Sequence, residues 1–138
     1  MLVSNIMKAA LAHCYEEADR DALTRNLTAP LVNLAIAELT DAENAYRMNY
    51  PYNPEDPVQL VTEPVVITKP EDDVPYDYHI TSILMPLWLA WKVFEGLDAE
   101  NRAQQYRVLY EQKKAEIVPI VWEQMRDMNG RCCCHHEP

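Results

Sequence analysis

Residues 77–98 read DYHITSILMPLWLAWKVFEGLD, a markedly apolar stretch. Ile80, Ile83, Leu84, Leu87, Trp88, Trp91 and Phe94 recur at the spacing of one helical face, while Met85, Leu89, Ala90 and Val93 fill the other sides. A helix that is apolar nearly all round has to be buried nearly all round. Either the rest of the chain wraps around it or neighbouring copies cover part of it. Because few other large apolar residues are at hand, partial cover by copies is the expectation. Pro86 is expected to kink the helix or cap a short preceding turn, and Gly96 to end it as a C-cap. The apolar run from Ile83 to Trp91 is nine residues long, against ~20 for a membrane-spanning helix, so no membrane partner is expected.

Helical periodicity continues on both sides. Asp98 is placed to open another helix, with Glu100 and Asn101 in its first turn and Ala103, Tyr106, Tyr110, Lys113 and Ile117 at helical spacing. Arg102, Arg107, Lys113 and Lys114 make its outer face basic, and Pro119 should bend or end it near Val118. Trp88, Trp91, Phe94, Tyr106 and Tyr110 are the expected core, and Ile120, Val121, Trp122 and Met125 form a further apolar stretch. Near the beginning, Met7, Ala10, Leu11, Cys14 and Ala18 predict a helix from about Ser4 to Arg20, with Cys14 a buried structural thiol and His13 partly exposed. Thr28 can cap a second helix and Pro30 suits its first turn. Leu31, Ala35, Leu39, Ala42 and Tyr46 carry that helix to about Met48.

Between helices two and three the character changes. Six of the ten prolines (Pro51, Pro54, Pro57, Pro64, Pro70 and Pro75) fall in residues 50–78, which forbids helix there. Val58, Leu60 and the run Val65, Val66, Ile67 fit an extended arm or a β-hairpin of two short edge strands. A long insertion in a small domain is more often functional than filler. Glu71, Asp72 and Asp73 read as a solvated acidic turn, since no calcium-loop spacing accompanies them.

With 138 residues, the chain has room for one compact helical domain, about 1–127, followed by a tail, 128–138. Hydrophobic residues at 49% and charged residues at 25% exclude bulk disorder. Two glycines leave no material for Gly-rich phosphate loops or a dinucleotide fingerprint. The net charge of −10 has the wrong sign for affinity won by neutralising phosphates. Most of that excess lies between Glu38 and Asp77, with ten carboxylates against Arg47 and Lys69. Met1–Leu11 carries Ser4, Asn5 and Lys8 where a secretory signal is apolar, so synthesis in the cytoplasm is expected. Four cysteines, one isolated and three adjacent, do not make a disulfide scaffold. His79 has no nucleophile motif nearby, and Glu16–Glu17 and Asp72–Asp73 read as surface pairs, so neither enzymatic activity nor a cofactor is expected.

Taken in order, the helix reading APLVNLAIAELTDAENAY, the Pro-rich segment, the aromatic helix and the Tyr-bearing helix AENRAQQYRVLYEQKKAEI resemble the head–tail connector (portal adaptor) proteins of tailed bacteriophages. The resemblance covers about residues 1–118, with Gly96, Asp98, Ala103, Tyr106 and Tyr110 at corresponding places. It implies a mainly α protein, a small four-helix connector-type bundle with an extended or β-hairpin arm and an extended C-terminal tail. It also implies a structural virion protein at the neck: a ring, commonly of twelve copies, docked under the portal, carrying tail proteins and passing DNA through its lumen as non-specific cargo. The pattern carries no catalytic residue. An acidic surface facing the lumen would repel DNA phosphates and let the genome slide. In that setting Val58, Leu60, Val65, Val66 and Ile67 of the arm are expected to contact a neighbouring copy or a tail-side protein.

The ending RCCCHHEP gathers Cys132, Cys133, Cys134, His135 and His136, all ligand types for zinc or copper. Adjacent residues do not converge easily on one tetrahedral centre, so no metal is expected and the tail is read as a docking segment. On the resemblance, its partner is the portal, with Trp122 and Met125 anchoring its exit and Arg131 to His136 making the contact. The competing readings are a small cytosolic Cys/His metal-binding or redox protein, distinguished by stoichiometric metal, and a small helical regulatory protein, distinguished by a compact dimer.

Overall fold

A computed structural model describes residues 1–13, 21, 24–51 and 55–118. These are mainly helical, and no β-strand occurs among them; the one β-bridge joins Leu2 to Asp73. In chain order come α1 (Val3–Leu11), α2 (Ala29–Asn49), a π-helical turn (Ile80–Leu84), α3 (Met85–Gly96) and α4 (Glu100–Ile117).

α1 buries Val3, Ile6 and Ala10, with Met7 and Leu11 packed at the edge of the core. It is shorter than the periodicity predicts, because Ala12 and His13 leave the helix in a turn closed by amides donating to Lys8 and Ala10 carbonyls. The rest of that expected helix, with Cys14, lies outside the described residues. No side chain caps its beginning. Instead, the Val3 and Ser4 amides donate to the carbonyls of Asp72 and Pro70, at 3.0 and 2.9 Å. The acidic turn is thus a helix cap as well as a solvated surface. The Asp72 carboxylate in turn accepts the Thr68 and Lys69 amides, which holds its pKa below the ordinary value.

α2 starts as its sequence implies, with Thr28 Oγ1 accepting from the Leu31 amide and Pro30 in the first turn. A helical turn at residues 24–26 precedes it. Val32, Ala35, Ile36, Leu39 and Ala42 form its buried stripe.

The aromatic segment opens in the π-helical turn, where the Met85 amide reaches back to the Ile80 carbonyl. Pro86 has no N–H to give and its ring crowds the preceding turn, so the widened turn ahead of it relieves both demands. α3 buries Met85 to Ala90, Val93 and Phe94. Its cover comes from this same chain, from α1, α2, α4 and the buried residues Ile67, Val74 and Tyr76. The expectation that copies of the protein would complete its burial is therefore corrected. The apolar mass comes from Ile6 of α1, from Val32, Ile36 and Leu39 of α2, and from the segment before the π-turn.

The end of α3 also differs from expectation. Gly96 is its last helical residue, and Asp98 takes the left-handed conformation at φ 58°. The Ala99 amide donates to Phe94 O and the Asp98 amide to Glu95 O, a Schellman closure with Asp where Gly is commonest. Asp tolerates that backbone region better than most residues. Asp98 is thereby spent on ending α3, and Ala99 rather than Asp98 is the N-cap of α4.

α4 runs back along α3. Tyr106 stacks on Phe94 with centroids 5.5 Å apart, and Tyr110 meets Trp91 at 5.8 Å. Trp88, Phe94, Tyr106 and Tyr110 are buried as expected, but Trp91 is only partly so. Its indole N–H donates to Glu95, and Lys92 and Arg107 lie over its ring, an amphipathic arrangement at the protein surface. The Tyr106 hydroxyl donates to the His13 carbonyl at 2.6 Å, tying α4 to the end of α1. α4 ends at Ile117 with Val118 as its C-cap, just before Pro119.

A candidate interaction surface along helix two

Residues 55–78 do not project as a β-hairpin arm. Residues 57–68 lie along the body as an extended strap, bent at Thr62–Glu63, because α2 presents a row of polar side chains that bind its backbone. Asn44 is bidentate to Val61: its Oδ1 accepts the Val61 amide at 2.7 Å and its Nδ2 donates to the Val61 carbonyl at 3.0 Å. Asn33 does the same to Ile67, at 2.8 and 3.0 Å. Arg47 Nη1 donates to the Gln59 carbonyl at 2.9 Å. Residues 33, 44 and 47, eleven and three apart, fall within about 60° of one another round the helix and so share one face, spanning about 21 Å. The strap therefore runs antiparallel to α2, pinned at three points by side chains that stand in for a neighbouring strand.

At the C-terminal end of α2 the pinning becomes ionic. Glu43, 1% exposed, pairs with Arg47 Nε and accepts the Asp77 amide at 2.6 Å. Arg47 Nη2 reaches the Pro75 carbonyl at 3.0 Å. One guanidinium thus joins α2, the strap and the approach to the π-turn. Beside it lies an open cleft of about 400 Å³, with Tyr46 and Tyr50 on one wall and Asp56, Pro57 and Val58 on the other. His79 Nδ1 sits 2.9 Å from Asp77 Oδ1 and 3.1 Å from the Tyr46 hydroxyl. Partial burial, then the carboxylate of Asp77, raises the Tyr46 pKa. Elsewhere, burial lowers the pKa of His13 and pushes Tyr110 up to about 12, with Glu38 and Glu111 adding to the latter.

The strap residues singled out in the sequence divide into two sets. Val58, Leu60 and Val66 are exposed, at 40%, 46% and 75%, and available to another chain. Ile67, 1% exposed, is a core residue of its own subunit, and Val65 packs partly against that core. Ile67 is thus removed from the expected contact set, because the Asn33 clasp turns it inward. Asn33, Asn44 and Arg47 were not anticipated; their common face, which also carries Thr40, beside the apolar stripe of α2 is the sequence signal for them. Trp122, Met125, Arg131, Cys132, Cys133, Cys134, His135 and His136 lie outside the described residues. Among the described residues, no group of three His, Cys, Asp or Glu side chains is placed to hold a metal, and no helix is long and apolar enough to cross a membrane. No known protein family, curated protein or solved structure matches the chain.

Proposed function

We propose that this chain is a non-enzymatic structural subunit of a phage virion, a four-helix connector-type bundle that assembles as a ring between the portal and the tail. The observation that carries this reading is the strap, held rigidly against α2 while its apolar residues Val58, Leu60 and Val66 face solvent. A segment fixed in that way loses little entropy on contact with another protein, and its exposed apolar side chains gain by being covered. The self-sufficient burial of α3 supports a subunit that folds alone and assembles through its periphery. The concentration of carboxylates between Glu38 and Asp77 supports a lumen through which DNA passes without sticking. In this reading the tail, from Trp122 and Met125 to His136, docks on the portal.

Electron microscopy and mass photometry of the purified chain, alone and with portal and tail proteins of tailed phages, test the assignment. A ring bound to the portal is the expected result. Failure to bind any portal or tail protein overturns it, whereas a monomer in isolation does not, because assembly can await the portal.

A further inference from the structure

In an extended chain the N–H and C=O of one residue point to one edge and those of the next residue to the opposite edge. Gln59, Val61 and Ile67 have the same parity, and Arg47, Asn44 and Asn33 bind their backbone groups on the edge facing α2. Val58, Leu60 and Val66 have the opposite parity. Among the described residues no protein group bonds the N–H or C=O of these three. Between residues 57 and 68 the outer edge is closed, among the described residues, at Thr68, whose amide donates to the Asp72 carboxylate at 2.8 Å. Two extended stretches of the strap, around residues 58–61 and 65–67, therefore have one side satisfied by α2, while the outward backbone groups of Val58, Leu60 and Val66, three exposed residues, have no protein partner among the described residues.

We propose that this outer edge, at Val58–Leu60 and at Val66, is a β-augmentation site that accepts an extended, basic and β-branched segment of another protein. The inference deepens the connector reading, on which it rests for the biological setting of that partner. Main-chain hydrogen bonds to the open edge supply affinity, and alternate side chains over Val58, Leu60 and Val66 supply fit. Charge selects the occupant. Glu55, Asp56 and Glu63 flank the apolar residues, and no Lys or Arg occurs between Arg47 and Lys69. Lys or Arg on the incoming strand meets these carboxylates favourably, whereas the strap of a second copy would set like charges opposite one another. Pro57 and Pro64 keep the ladder short, and they stiffen the strap before the partner arrives.

Amide hydrogen exchange followed by NMR on the full chain, with and without a synthetic eight-residue peptide of alternating Lys and Val, tests the site. The peptide should slow exchange at Leu60 and Val66 by about tenfold or more and leave Val61 and Ile67 slow in both states. A Glu-Val peptide should leave Leu60 and Val66 exchanging as in the free protein. Val66→Pro deletes an outward N–H without touching an inward bond. It should melt like the wild type yet lose about tenfold in peptide affinity, while Val66→Ala, which keeps the amide, stays within about threefold. Leu60→Pro makes the same test if Val66→Pro misfolds. Absence of protection at Leu60 and Val66, or a folded proline variant that binds like the wild type, overturns the proposal. If the chain rings the portal while these amides stay as exposed as in the free protein, augmentation is wrong and the connector reading stands. If the Lys-Val peptide protects them but no portal or tail protein binds, the site stands and the connector reading falls.

Discussion

Replacing Arg47 by methionine should cost about 3 kcal/mol. Glu43 is 1% exposed and keeps the Asp77 amide, but its charge then has no counterion. Breaking a buried pair from one side costs ~3–5 kcal/mol, and the 29% exposure of the Arg47 side chain places this case at the lower end. The carbonyls of Gln59 and Pro75 lose donors as well, but both contacts are exposed and water replaces them at small cost. For a chain of this size the loss is on the order of 10 °C in Tm. The decisive comparison is the double variant Glu43→Gln/Arg47→Met. The neutral amide still accepts from Asp77 and strands no charge, so the double variant should be more stable than Arg47→Met by about 1 kcal/mol or more. Urea unfolding followed by circular dichroism gives all four corners of the cycle. An Arg47→Met protein within about 1 kcal/mol of wild type, or a double variant with simply additive losses, would show that the clasp does not hold the strap to α2.

Asn33→Ala and Asn44→Ala should each destabilise by ~1–3 kcal/mol and speed exchange of the Ile67 and Val61 amides respectively, since each strands two backbone groups. Gly96→Ala should stabilise by ~0.4–1 kcal/mol, because Gly96 has no positive φ and a Cβ there meets nothing within 4 Å; a loss of stability on thermal melting would restore Gly96 as the left-handed residue. Phe94→Ala should cost ~3–5 kcal/mol and Trp91→Ala clearly less in the same denaturant assay, because only Phe94 is enclosed. Asp72 has a lowered pKa in the folded state, so its contribution is present above its ordinary value of 3.8 and lost as pH falls through the folded one; Asp72→Asn should be less stable than wild type near neutrality, with the gap closing in acid. Tyr110, pushed up to about 12, contributes below pH 10 and loses that contribution as pH rises through 12, so Tyr110→Phe should flatten the alkaline limb of the stability profile.

Local and periodic information alone determined that α2, α3 and α4 form and roughly where they lie. The Thr28 cap with Pro30 places the start of α2, the aromatic period places α3 and α4, Pro86 marks the turn ahead of α3, and the prolines of residues 50–78 exclude helix there. These are statements about a residue and its near neighbours, where side-chain spacing and missing N–H groups act directly. What covers α3, whether Trp91 or Ile67 is enclosed, and that the Pro-rich segment is a strap instead of a hairpin were decided only by the tertiary structure. Asn33 meets Ile67 across 34 residues, Asn44 meets Val61 across 17, and Arg47 meets Pro75 across 28. An extended segment has no internal hydrogen bonds to announce its place, so its position is fixed by whichever distant donors and acceptors satisfy its backbone. The same physics separates Gly96 from Asp98 at the end of α3. Glycine permits a left-handed residue, but the packing of α4 against α3 selects where the chain must turn.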